Sequence, residues 1–115
     1  MTTTSIVTNI PDGITDEMLL AVMHTHNIMI ECLAPDHRAS ELRSGDPAGE
    51  GPCTYDITAT TPVGTNMTYP LTLIKRSDGL DSCVEPRTPM GSLKIAAQWR
   101  IKGEQLVEEI TIGLC

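Results

Sequence analysis

Glu108 lies in a run from Leu106 to Leu114 whose other even-numbered members, Leu106, Ile110, Ile112 and Leu114, are apolar. The two-residue period of a strand puts Glu108 on the same face as those side chains and turns Glu109 the other way. A carboxylate held against an apolar surface is pushed toward its neutral form, so it can act as a general acid or accept from a ligand hydroxyl. The opposing arrangements are a bulge that returns it to solvent, or an ion pair with Arg100 or Lys94 across a hairpin. Tyr55, Tyr69 and Trp99 fall on the apolar sides of their own alternating runs, and each joins a large apolar body to a polar handle. They either line a pocket or pack a core. His26 recurs at helical spacing with Leu19, Val22, Met23 and Ile30, where it is either a proton carrier or a satisfied core histidine.

Other reactive side chains form no recognisable constellation. His24 and His26 are two apart, so on one helix they diverge and do not make an i,i+4 metal pair. His37 has no evident partner. Cys32, Cys53, Cys83 and Cys115 are widely spaced, without a Cys-x-x-Cys pair or a zinc-ligand pattern. They are expected to be free thiols, with Cys115 the candidate for any intermolecular disulfide. No serine sits in Gly-x-Ser-x-Gly, and the Gly45–Gly51 stretch lacks the lysine of a phosphate loop. No metal or cofactor is expected, and no pattern names a reaction or a catalytic residue.

The elements that must position these residues follow from local periodicity. Ser5 to Ile10 reads as a first strand, stopped by Pro11-Asp12-Gly13. Thr15 is a helix N-cap, with Asp16 and Glu17 at the positive end of the dipole. The helical segment to Leu33 is one bent helix or two short ones, because His24-Thr25-His26-Asn27 is a poor helical stretch. Strands are expected around His37–Leu42, Tyr55–Thr60, Met67–Arg76 and Leu80–Pro86, with an Asp78-Gly79 turn between the last two. Pro70 places the start of its strand at an edge or a bulge. A loop through Pro89-Met90-Gly91 leads to a final hairpin. Its first limb carries Leu93, Ile95, Ala97, Trp99 and Ile101, and Lys102-Gly103-Glu104-Gln105 makes the turn. One domain, 1–115, of α+β class is expected: a curved antiparallel sheet behind an N-terminal helix or helices. So little helix covers only part of the apolar sheet face, and a homodimer is expected to cover some of the rest.

Composition excludes some partners. Fifteen acidic residues against eight basic ones give a net charge of −7. No basic stripe exists to release counterions from nucleic acid, and an anionic membrane is disfavoured for the same reason. The opening Met-Thr-Thr-Thr-Ser-Ile carries no basic leader before an apolar run, so the expected compartment is cytoplasmic. With no Phe, one Trp, two Tyr and six Met, the core must be filled by aliphatic and thioether side chains.

Gly51-Pro52-Cys53-Thr54-Tyr55-Asp56-Ile57-Thr58, Thr68-Tyr69, Ser77-Asp78-Gly79-Leu80, Ala97-Gln98-Trp99-Arg100-Ile101 and Leu106-Val107-Glu108-Glu109 occur in that order. In this the chain resembles a group of uncharacterised fungal proteins related to the polyketide-cyclase and START-like (SRPBCC) superfamily. The resemblance implies a helix-grip fold, in which a curved sheet wraps a long C-terminal helix around a hydrophobic cavity. This sequence departs from it by ending where that helix would begin, a truncated version of the pattern. The implied function is binding of a hydrophobic small molecule in secondary metabolism; read from the residues themselves, Glu108, Tyr55, Tyr69, Trp99 and His26 are the candidate ligand-binding side chains. The alternatives are a cyclase or isomerase in which Glu108 or His26 moves a proton, and a non-catalytic homo-oligomeric assembly protein.

Overall fold

The computed structural model describes residues 2–88 and 91–114. The chain runs β1 (Thr2–Asn9), α1 (Asp16–Met23), α2 (His26–Leu33), β2 (His37–Ser44), β3 (Cys53–Thr60), β4 (Asn66–Arg76), β5 (Gly79–Val84), β6 (Arg87–Thr88), β7 (Gly91–Lys102) and β8 (Gln105–Leu114). The strands form one antiparallel sheet in the order β1-β8-β7-β5-β4-β3-β2, with the two-residue β6 attached to β7. The first strand therefore crosses to the far side and pairs with the last, Thr2 opposite Ile112 through Asn9 opposite Gln105. This is the expected α+β arrangement, with two helices inserted after the first strand.

The helical segment resolves into two helices because several hydrogen bonds end the first at once. The Thr15 hydroxyl caps it by accepting from the Met18 N–H at 3.2 Å. At its other end the Thr25 hydroxyl donates to Ala21 O at 2.7 Å, and the Thr25 backbone is extended. The His24 ring lies beside two carbonyls, Arg76 O at 3.0 Å and Gly79 O at 2.9 Å, so Nε2 carries the hydrogen. That side chain ties the helix corner to the β4–β5 turn. A side chain at Gly79 has no room: a Cβ there would sit 1.7 Å from Trp99 O.

Pairing fixes which residues share a face. Tyr55 opposes Leu71, Leu71 opposes Val84, Leu80 opposes Trp99, and Trp99 opposes Glu108. These make the concave face, on which α1 and α2 lie. Buried Met23, Met29 and Ile30 from the helices pack against Cys53, Ile57, Leu71, Leu73 and Leu80 of the central strands. The opposite face carries cross-strand threonine pairs, Thr54 with Thr72 and Thr58 with Thr68. It also carries an ion-pair chain in which Asp81 meets both Arg76 and Arg100 at 2.7 Å.

Pro70 meets the expectation locally: β4 pairs with β3 alone up to Pro70, opposite Asp56, and is flanked by β5 only from Leu71 onward, so its first part is an edge. Its carbonyl accepts from the Glu85 N–H at 3.3 Å, just past the end of β5. Carbonyl and nitrogen of one strand residue point the same way, so the missing donor faces a place where the neighbouring ladder has stopped.

Candidate functional site

The central strands place an apolar hollow beyond the reach of the helices. Tyr69 and Met67 come from β4, Ser82 and Val84 from β5, Ile95, Ala97 and Trp99 from β7, and Glu108 and Ile110 from β8; Leu33 at the end of α2 closes one side. The volume is about 360 Å³. Each of these sheet positions follows from the period of two, so the same alternation that builds the core builds the hollow's wall. The two ends of the concave face differ only in what lies over them.

Glu108 is half-buried on this wall, directly across the β7–β8 ladder from Trp99. Neither alternative partner from the sequence holds it. Arg100 projects from the other face and pairs with Asp81 and Asp78, and Lys94 also alternates onto that face. Among the described residues no hydrogen bond or ion pair engages the Glu108 carboxylate. The Tyr69 hydroxyl likewise makes no hydrogen bond within the described fold, and burial pushes its phenol above the ordinary value, which keeps it a neutral donor. Trp99 is 8 % exposed, packed as core on one side and lining the hollow on the other.

Tyr55 and His26 stand elsewhere. They meet beneath the α1–α2 corner, His26 Nδ1 to the Tyr55 hydroxyl at 2.8 Å, with their rings edge-on at 5.7 Å. Both border a second, more polar hollow of about 580 Å³ with His24, Asn27, Ser40 and Leu42. His26 is held below its ordinary value by burial first, then by the Lys75 and His24 charges, so the ring is kept neutral. Its Nε2 is buried without a partner. Burial first, then Cys53, raises Tyr55. The five residues singled out in the sequence thus divide: Glu108, Tyr69 and Trp99 share one hollow, and His26 and Tyr55 make a buried pair at the other. No proton relay connects His26 with Glu108.

Sequence reasoning missed Leu33, Met67, Ser82 and Ile95 as wall residues. Ser82 alternates with Leu80 and Val84, so its face was readable; its place beside the hollow came only from the strand order. Of the thiols, Cys53 is buried, Cys83 half-buried and Cys32 exposed, all without disulfides, while Cys115 lies outside the described residues. Among the described residues no group of three or more His, Cys, Asp and Glu side chains could hold a metal ion. No helix there is long and apolar enough to cross a membrane.

A curved antiparallel sheet, with two helices inserted after its first strand and a hollow on its concave side, has the topology of a truncated helix-grip fold, with no helix after β8 among the described residues. It is shared with a solved structure described as "Crystal structure of Ara h 8.0201", at a TM-score of 0.63 and 11 % sequence identity, over 96 % of this chain and 75 % of that one. The likeness is one of fold. The chain belongs to the family described as "Domain of unknown function (DUF7053)", whose model matches residues 1–114. No curated protein sequence matches it.

Proposed function

We propose that the protein binds a hydrophobic small molecule on the open part of its concave face, between Leu33 of α2 and strands β4, β5, β7 and β8. The observation that carries this reading is the composition of the wall. Aliphatic and aromatic side chains surround a few polar groups, Glu108, Tyr69 and Ser82, that the fold leaves available. Such a wall gives affinity through apolar burial and orientation through a few polar contacts. It favours binding over turnover, because among the described residues no hydrogen bond joins Glu108, Tyr69 and Ser82 into a proton-transfer pair.

The sole tryptophan, Trp99, reports on this wall. Titration with n-dodecanol below its aggregation limit is expected to give a saturable shift in Trp99 emission. Emission that does not change at any concentration contradicts the reading.

A second reading, homo-oligomeric assembly, is favoured by the two sheet edges. β2 has two register breaks and carries Arg38, Glu41 and Arg43, devices that discourage edge pairing. β1, TTTSIVTN, has no charge, no proline and no break, and every residue is exposed. A second copy pairing antiparallel along β1 would extend the sheet. Sedimentation should then show a dimer that Ile6→Lys converts to monomer; a monomer at all concentrations removes this reading.

A further inference from the structure

The ligand reading above leaves open what kind of head group the apolar molecule carries, and the charges around the hollow bear on this. Glu108 is the only charged side chain on its wall, and no cation of the described fold neutralises it. Lys94 and Lys102 of β7 alternate onto the opposite face, and other basic groups nearby are committed elsewhere. Arg100 pairs with Asp81 and Asp78, Arg76 pairs with Asp81, and the Lys75 ammonium donates to Pro47 O at 2.7 Å. Across the ladder from the carboxylate is an indole, the side chain whose face attracts a cation most strongly. The Tyr69 phenol adds a second aromatic ring to the same wall.

We infer that this site selects an apolar molecule bearing a positively charged amine, with Glu108 taking the ammonium and the hollow taking the hydrocarbon. The inference rests on the ligand-binding reading of the same site. A neutral alcohol gains the apolar burial and a hydrogen bond to the Glu108 carboxylate, but its head group carries no charge and so gains neither an ion pair nor a cation–π contact. A fatty carboxylate meets like charge from Glu108, on a chain of net charge −7.

The test uses three probes of one chain length, dodecylammonium, n-dodecanol and dodecanoate, each followed by Trp99 emission and by calorimetry below its aggregation limit. The ammonium is expected to bind about tenfold more tightly than the alcohol, a difference of about 1.4 kcal/mol, with dodecanoate weakest. In Glu108→Gln the ammonium-to-alcohol ratio should fall several-fold, to what the Trp99 ring alone contributes, while in Glu109→Gln, an exposed neighbour on the other face, it should persist. The inference is overturned if the alcohol binds as well as the ammonium. It is equally overturned if the preference is undiminished in Glu108→Gln, which would remove the carboxylate as its source. If none of the three probes binds, the ligand-binding reading itself fails, a result separate from a lost preference.

Discussion

The concave face has two ends built by one alternation of apolar and polar residues, yet they differ in what covers them. Under α1 and α2, Ile57, Leu73 and Leu80 are fully buried, and Met23 and Ile30 from the helices complete the packing. Toward β8 and β1 the same face leaves Ile112 at 42 % and Ile6 at 46 % exposure, with Glu108 between hollow and solvent. Two eight-residue helices reach across the middle strands only. One end therefore supplies stability, and the other remains free to bind.

The contrast can be broken most directly at the covered end. Leu80→Ala removes a fully buried side chain and is expected to cost about 2–5 kcal/mol in urea unfolding. A cost near zero would mean the helices do not seal that end. Gly79→Ala places a methyl against the Trp99 carbonyl, and separating β5 from β7 is expected to cost about 1–3 kcal/mol in the same assay. A wild-type midpoint would show that the two strands are not held this closely.

The buried His26–Tyr55 pair sharpens the comparison through pH. Between the unfolded value of 6.5 and the lower folded value of His26, the unfolded chain binds more protons than the folded one. Stability should therefore fall as pH falls through that window. His26→Phe, which cannot take up the proton, should lose less over the same range in parallel urea titrations. Equal slopes in the two proteins would remove His26 as the source.

At the open end the expected effects on stability are smallest. Ile112→Ala and Glu108→Gln should each stay within about 0.5 kcal/mol of wild type in urea unfolding. A loss approaching that of Leu80→Ala would mean this end is also sealed core, and would contradict its assignment as a binding surface.

Much of this division was readable from particular residues. The alternation from Leu93 to Ile101 and from Leu106 to Leu114 marks the last hairpin and puts Trp99 and Glu108 on its apolar face only if no bulge intervenes, a condition that the unbroken β7–β8 register supplies. Thr15 marks the first helix start, and the poor helical stretch at His24 to Asn27 contains the break. Periodicity fixes a face, however, and not a position along it. That is why Tyr55 and His26 looked like companions of Glu108 until the strand order, with β3 near one edge and β8 near the other, separated them. Pro70 did signal an edge, the stretch of β4 before β5 joins it at Leu71, but where β5 stops is something no local pattern encodes.

The most direct measurement is a methyl ¹H–¹³C spectrum of the protein titrated with n-dodecanol below its aggregation limit. Shifts confined to methyls of the hollow's wall, Leu33, Met67, Val84, Ile95, Ala97 and Ile110, with Ile57, Leu73 and Leu80 unmoved, are the expected result. Absence of any shift, or shifts centred on the methyls beneath α1 and α2, would contradict the assignment of the open end as the binding surface.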